Sequence, residues 1–377
     1  MLTVSLFFPI WFLCGRMRYI ARYNGVVSKS NCLNIRPKIM GTTMTEQKID
    51  LVYMWVDDND KNWRDAKNYW LQKIKNETPV CSDSIVSARW RDNNELKYSL
   101  RSAELFAPWI NHIYLVTGFN QVPSWLDTTN PKITIIPHEQ IMPADALPTF
   151  NSVAIEMCIM NIPNLSEHFL LVNDDMFFNK PIDPSFFYDK RGRAIVWYTK
   201  NKQLKNIGYG LETVKSDYRK TILMAAHKII SVFGKHWARY FRYTPAHNID
   251  PYIKSTMIAA RNHPMLSHDI DIQTRNKFRT DWEMQRWLFN LYDVVHNRAV
   301  FRRARHFKKP KHFIYNLIHY DACKKSPIYC EDAYHVLYRL SPYLFCINDT
   351  AQTTDEMRKQ NRFFLETKFP NKSSFEK

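Results

Sequence analysis

Glycine is scarce in this sequence, 8 of 377 residues, and no internal repeat or low-complexity tract appears, which excludes a fibrous or disordered chain. Signatures that depend on fixed spacing are missing as well. No Gly-x-x-x-x-Gly-Lys-Ser/Thr, Gly-x-Gly-x-x-Gly, Gly-x-Ser-x-Gly or His-Glu-x-x-His run occurs. That argues against a P-loop kinase, a typical dinucleotide enzyme, a serine hydrolase and a zinc protease. The seven cysteines (Cys14, Cys32, Cys81, Cys158, Cys323, Cys330 and Cys346) never pair as Cys-x-x-Cys. Their odd number, without a framework, suits a reducing compartment. Zinc-finger spacing and aromatic RNA-binding motifs are absent, so nucleic acid is not an expected partner. Residues 2–14 are apolar over about a dozen positions, short of the ~20 a membrane span needs, with no basic n-region and no cleavage site. Residues 16–43 are basic and patternless. The ordered protein is expected to begin near Met44, residues 1–43 being a disordered or mis-assigned extension; a weak membrane anchor is the alternative.

Acidic residues are also in short supply. Lys and Arg number 53 against 36 Asp and Glu, a net charge of +17. Such a surface attracts phosphate on nucleic acid, on an anionic membrane or on a substrate. Arg302, Arg303, Arg305, Lys308, Lys309 and Lys311 crowd residues 301–312 without an acid. That run reads either as a solvated face or as a dock for a polyanionic glycan or lipid headgroups. What the chain has in quantity is apolar material: 45% hydrophobic and 14% aromatic residues, enough core for one large α/β domain with an insertion.

The β-branched and aromatic run over residues 49–56 ends in Asp57-Asp58-Asn59-Asp60 and predicts a buried strand. Helices are predicted over 62–75 and over 94–106, where Leu96, Leu100 and Ala103 recur at helical spacing and Pro108 ends the pattern. Residues 112–117, 133–136 and 169–172 predict further strands, and 152–160 a helix. The alternation predicts an α/β fold with a doubly wound, mostly parallel sheet. Residues 44–190 and 340–377 form the expected catalytic domain, with 344–347 a late strand returning to the main sheet. Residues 191–339 read as a mostly helical subdomain, with one helix over 280–291.

Three apolar strands end in acids: Val56 precedes Asp57-Asp58, Val172 precedes Asn173-Asp174-Asp175, and Ile347 precedes Asn348-Asp349. In open α/β sheets ligands bind at the carboxyl ends of the strands. Carboxylates beside amide oxygens suit Mg²⁺ or Mn²⁺, which often bridge substrate phosphates. Asp and Asn are equally the ordinary turn residues after a strand. The Asn173-Asp174-Asp175 tip stands apart, because two adjacent acids ending a buried strand repel unless a cation is near. His247, after a proline-led approach, either exchanges a proton near neutral pH or is structural. Arg279 and Arg101 offer planar forks to phosphate, or are plain charges. Trp55 either stacks on a nucleobase or belongs to the core. Physical reasoning stops at a metal-dependent α/β enzyme acting on something phosphorylated.

Four ordered blocks carry a resemblance. The first is Ile49-Asp50-Leu51-Val52-Tyr53-Met54-Trp55-Val56-Asp57. The second runs from Arg91-Asp92-Asn93-Asn94-Glu95-Leu96-Lys97-Tyr98-Ser99-Leu100-Arg101-Ser102 through Leu147-Pro148-Thr149-Phe150-Asn151-Ser152 to Asn173-Asp174-Asp175-Met176-Phe177-Phe178. The third holds Pro245-Ala246-His247 and Phe278-Arg279 to Glu283-Met284-Gln285. The fourth holds Cys346-Ile347-Asn348-Asp349 and, near the end, Phe369-Pro370 and Ser373-Ser374-Phe375-Glu376. In these blocks the sequence resembles the Stealth family, which includes bacterial capsular polysaccharide phosphotransferases and the catalytic subunit of the lysosomal-enzyme N-acetylglucosamine-1-phosphotransferase.

The resemblance implies a glycosyltransferase-like fold and transfer of hexose 1-phosphate from a UDP-sugar donor to a polysaccharide acceptor, with UMP leaving. It implies Asp174 and Asp175, completed by Asn348 and Asp349, at a Mg²⁺ (or Mn²⁺) diphosphate site. His247 is then the proton acceptor, Arg279 the phosphate stabiliser, and Trp55, Asp57, Arg101 and Asn173 hold the nucleotide. A cytoplasmic protein working peripherally at the inner membrane face fits the cysteines and the basic charge. The alternatives are a metal-dependent glycosyltransferase releasing UDP and a non-catalytic glycan-binding protein.

Overall fold

The runs rich in Val, Ile and aromatic residues do pair into one sheet. The computed structural model describes residues 47–74, 80, 85–200, 214, 217–240, 243–246, 249–280, 282–304, 334–335, 337–339 and 341–377. The expected extension over 1–43, His247 and residues 305–312 of the basic run lie outside the described residues. Strands β1 (Ile49–Met54), β2 (Ile113–Thr117), β3 (Ile133–Pro137) and β4 (His168–Asn173) lie parallel in the order β3-β2-β1-β4. Leu51, Val52 and Tyr53 of β1 and Phe169, Leu170, Leu171 and Val172 of β4 are fully buried. Such near-continuous apolar runs mark parallel strands covered on both faces. Helices α1 (Lys61–Ile74), α2 (Glu95–Phe106) and the short α3 (Ser152–Glu156) fall between them in sequence. Helix α3 stops sooner than the predicted 152–160, and the chain continues as a 3₁₀ turn at Ile159–Asn161.

Among the described residues, 191–339 hold the expected helices and also short strands. Helices α4 (Asp217–Phe233), α5 (Lys254–Arg261), α6 (Ser267–Thr274) and α7 (Trp287–Val295) are interleaved with strands. Of these, β6 (Ala194–Lys200) pairs with β7 (Tyr243–Pro245) and β9 (Ala299–Arg303) in a three-stranded sheet. Strand β8 (Asp250–Ile253) joins the main sheet antiparallel to β4. The described residues accordingly fall in one compact unit, Gly41–Lys377. Strand β8 is short and carries Pro251, a composition that reads as a turn; the proline is tolerated because β8 is an edge strand.

The helix expected over 280–291 begins only at Trp287. Upstream, the Gln273 side chain captures the backbone of Met284, accepting from its N–H at 2.7 Å and donating to its carbonyl at 2.8 Å. Those bonds compete with a helical ladder.

The late strand β10 (Leu344–Cys346) does not return to the main sheet. It pairs antiparallel with β5 (Met176–Phe178) in a separate ribbon. Ring stacking decides this: Phe177 lies 4.8 Å from Phe345 and 6.2 Å from Phe369. Phe364 of α8 (Asp355–Lys368) closes the same cluster.

The chain end is stitched to α2. Arg101 donates through Nε and Nη2 to Glu376, both at 2.7 Å, and through Nη1 to the Phe369 carbonyl at 2.7 Å. Burial alone would raise the Glu376 carboxyl, but the Arg101 hydrogen bonds and the Ser373 N–H outweigh it and hold the group at about 2. Because this folded pKa lies below the ordinary 4.5, the stabilisation is complete above pH ~4.5 and is lost as pH falls toward ~2. Glu376→Gln should cost about 3 kcal/mol at neutral pH, the lower end for breaking a buried pair. Chemical denaturation across that acid range should show the gap between wild type and variant closing.

Candidate active site

From β1 the chain passes to β2 and β3 on one side and later to β4 on the other, so the strand order reverses between β1 and β4. A crevice opens at the carboxyl ends of the strands at such a switch point. Met54 stands opposite Asn173 in the register. The segments after β1 and β4, Trp55 to Asp58 and Asn173 to Asp175, therefore emerge side by side. Asp174 and Asp175 form the turn between β4 and β5.

Small hydroxyls of α2 pin that turn. Ser99 Oγ donates to the Met176 carbonyl and shares a 2.8 Å hydrogen bond with the Tyr53 hydroxyl. Ser102 Oγ accepts from the Phe178 N–H at 3.0 Å. From the other side the Ile347 N–H donates to the Asp175 carbonyl at 2.9 Å. The third acidic tip, Asn348-Asp349, is thereby brought to the same end of the molecule.

The tip is electrostatically frustrated. Burial, then the charge of Asp175, then that of Asp92 push the Asp174 carboxyl well above the carboxylate range. Burial and then Glu95 raise Asp175, against a hydrogen bond with Cys346 and the charge of Arg286. Asp175 Oδ1 is out of solvent contact and has no hydrogen-bond partner. Glu95, the first residue of α2, sits where the helix dipole favours an anion. Burial and the charge of Asp174 nevertheless raise it to about 8, although Asn93 donates to it through both N–H and Nδ2. Asp92 is raised as well, by burial first. It is held in place by accepting from the Asn94 N–H at 2.9 Å, in a turn that puts Asn94 at φ 66°.

Arg286 answers this charge from below. It is 4% exposed and donates to Glu156 at 3.0 Å, Asp250 at 3.2 Å and Asn173 Oδ1 at 3.3 Å. Neither Arg286 nor Glu95 was singled out among the sequence candidates. Glu95 lies inside the block that begins at Arg91 but reads as a helix-start residue, and Arg286 lies within the helix expected over 280–291.

The remaining candidates divide. Trp55 is buried in the main core; its indole N–H makes no normal hydrogen bond, yet it lies near enough to Asp92 to lower that carboxyl's pKa. Asp57 closes its own loop, accepting from the N–H and Nδ2 of Asn59 at 2.9 and 2.8 Å. Asp349 differs from the Asp174–Asp175 pair because Arg358, at 2.9 Å, and Arg91, at 3.5 Å, already neutralise it. Arg101 is 9% exposed and turns its fork to Glu376 and the Phe369 carbonyl, at the chain end. Arg279 donates to Ser152 Oγ, and its charge lowers the pKa values of Glu283 and Tyr218. Among the described residues no hydrogen bond or ion pair joins Arg279 to Asp174 or Asp175, and His247 lies outside the described residues.

Among the described residues no three His, Cys, Asp or Glu side chains encircle a point fit for a metal ion. The donor set at the tip is hard oxygen, with one buried carboxylate oxygen unsatisfied. That fits Mg²⁺ or Mn²⁺ in the manner these ions favour with phosphates, where one or two carboxylates suffice and water and substrate oxygens complete the shell.

Fold and site define an α/β transferase. The model for conserved region 2 of the Stealth proteins matches residues 89–196. The chain is 32% identical to the exopolysaccharide phosphotransferase cps2G of Lactiplantibacillus plantarum, covering 87% of this chain and 96% of that protein. It is 29% identical to the capsular polysaccharide phosphotransferase WcwK of Streptococcus pneumoniae, covering 87% and 99%. Among solved structures it is similar to the galactosyltransferase LgtC in complex with donor and acceptor sugar analogs, with 11% identity, a TM-score of 0.41, and 86% and 97% covered. The chain belongs to the Stealth family.

Two outcomes follow from the charge pattern. Because Glu95, Asp174 and Asp175 titrate above their ordinary values in the fold, the folded state binds more protons than the unfolded one between pH about 4 and about 8. Metal-free protein should lose stability as pH rises through that window and regain it with millimolar Mg²⁺. Asp174→Asn should flatten both responses in thermal unfolding. Arg286→Gln strands Glu156 and Asp250 without a counter-charge and should cost about 3–5 kcal/mol in chemical unfolding.

Proposed function

We propose that this chain transfers hexose 1-phosphate from a UDP-sugar to a polysaccharide acceptor, releasing UMP, in capsule or exopolysaccharide synthesis. The observation that carries this reading is the Asp174–Asp175 turn at the β1/β4 switch point, in a chain whose relatives are named polysaccharide phosphotransferases. The acceptor hydroxyl attacks the phosphorus bonded to the sugar oxygen. The phosphoanhydride bond to UMP breaks, and the C1–O bond of the sugar stays intact. Charge collects on the phosphoryl oxygens, so catalysis rests on positioning and electrostatics. A divalent cation held by Asp174 and Asp175 would neutralise diphosphate charge.

Arg279 presents its guanidinium fork to the transferred phosphate, and His247 takes the acceptor's proton. Asn173 is steadied by Arg286 and borders the donor. Among the described residues no helix is long and apolar enough to cross a membrane. The net charge of +17 supports attraction to an anionic inner membrane face, where the polymer is made.

The test follows the phosphorus. With a UDP-sugar labelled at the β-phosphorus, polymer should retain the label and UMP should accumulate; UDP as by-product would identify an ordinary glycosyltransferase instead. Asp175→Asn and Arg279→Ala should each lower the rate by ~10²–10³.

A further inference from the structure

Beside the switch-point crevice lies a surface that none of the roles above uses. On α1, Tyr69 is 60% exposed, and its ring meets that of Trp70 edge-on at 5.8 Å. Lys73, one helical turn on, holds its ammonium 4.7 Å from the Trp70 ring centre and 6.0 Å from that of Tyr69. Among the described residues no carboxylate pairs with Lys73. A second ammonium, from Lys277, lies 4.8 Å from the same Trp70 ring. Lys277 is anchored by donating to the Leu147 carbonyl at 2.9 Å. Burial and then the charge of Lys73 lower its pKa, against the pull of Asp145. Two like charges are thus gathered around one indole.

The same loop carries Arg279, which donates to Ser152 Oγ. Lys277 is two residues from Arg279, a separation of at most about 7 Å along the chain, comparable with one sugar-phosphate unit. Between them Phe278 is buried and stacks on Phe150 at 5.1 Å. Phe150 in turn meets Trp63 of α1 at 5.5 Å. This rigid aromatic seam fixes the lysine pair relative to Arg279.

We infer that the Tyr69–Trp70–Lys73–Lys277 surface is the docking platform for the growing acceptor, and that it recognises a phosphodiester already present in the chain. The inference rests on the phosphotransfer reading. Each cycle of that reaction leaves one phosphodiester in the product, so the acceptor is a polyanion of sugars. A phosphate one unit behind the reacting hydroxyl matches the two ammoniums. The C–H face of a sugar, carrying slight positive charge, matches the negative face of the exposed Tyr69 ring. Charge complementarity at this distance from the site favours the anionic glycan over a flat lipid surface.

The test uses the full chain and a Tyr69→Ala/Lys73→Glu variant, both changes being at exposed positions of α1. Tryptophan fluorescence is titrated with a phosphodiester-linked hexose tetrasaccharide, with a neutral tetrasaccharide of the same length and with anionic phospholipid vesicles. UMP release is followed with a monosaccharide and with the anionic tetrasaccharide as acceptors. The variant should bind the anionic tetrasaccharide about tenfold more weakly, as loss of a charged hydrogen bond implies. Its KM for that acceptor should rise by the same factor, with kcat and the monosaccharide reaction unchanged. Equal affinity of wild type and variant for the anionic tetrasaccharide overturns the platform. So does equal binding of the neutral sugar by wild type, or a loss confined to vesicles. If wild type releases no UMP from any UDP-sugar, the phosphotransfer reading fails, and the fluorescence titration alone still decides the platform.

Discussion

The constraint on which the rest of the structure depends is the gathering of carboxylates at the end of β4. Asp174 and Asp175 are held in a turn that cannot relax. Ser99 and Ser102 fix its far side, and the N–H of Ile347, just after β10, fixes its edge. Asp92 and Glu95 enter from the start of α2; beyond burial, Asp92 raises Asp174 and Glu95, and Glu95 raises Asp175. A fold optimised only for stability would place a basic side chain here or replace the acids. Instead the adjacent carboxylate, Asp349, takes up the available arginines, and the tip keeps its unsatisfied oxygen. Strain of this kind persists where the surrounding structure over-determines it, and it clusters at functional sites.

The surroundings show how that over-determination is built. Above the turn, the ribbon of β5 and β10 is packed by a stack of phenylalanines and closed by α8, and the chain end is clasped to α2 through Arg101 and Glu376. Below it, Arg286 ties α3, β8 and the end of β4 together through Glu156, Asp250 and Asn173. The arginine compensates acids behind the turn, and its charge only partly offsets the burial that raises Asp175. The polar network thus makes the scaffold rigid and leaves the tip carboxyls without a full counter-charge, so that without a cation they hold protons, which a phosphate-bound cation would displace.

Much of this was legible in the residues. The strands of the main parallel sheet read directly from their β-branched runs, because burial on both faces leaves no polar position to blur the pattern. Convergence of the first two acidic tips followed from strand adjacency. Less legible were β8, whose Asp and Pro look like a turn, and the segment before α7, where Gln273 replaces the helical ladder. Arg101 illustrates the limit most sharply. Its place on α2 was clear, but its partner lies 275 positions away, and no local pattern distinguishes a phosphate clamp from a clasp on the chain end.

By itself the sequence determined the apolar periodicity of the sheet strands, the acids at three strand ends, the excess of positive charge and the family the chain belongs to. These are properties of residue type and spacing, and local sterics and hydrophobicity act on them directly. Tertiary structure alone decided which charges meet. It sent Asp349 to Arg358 and Arg101 to Glu376, set Glu95 against Asp174, and left Asp175 Oδ1 without a partner. Electrostatic energy depends on distance and on the dielectric around each pair, and both exist only once segments remote in the chain have packed together.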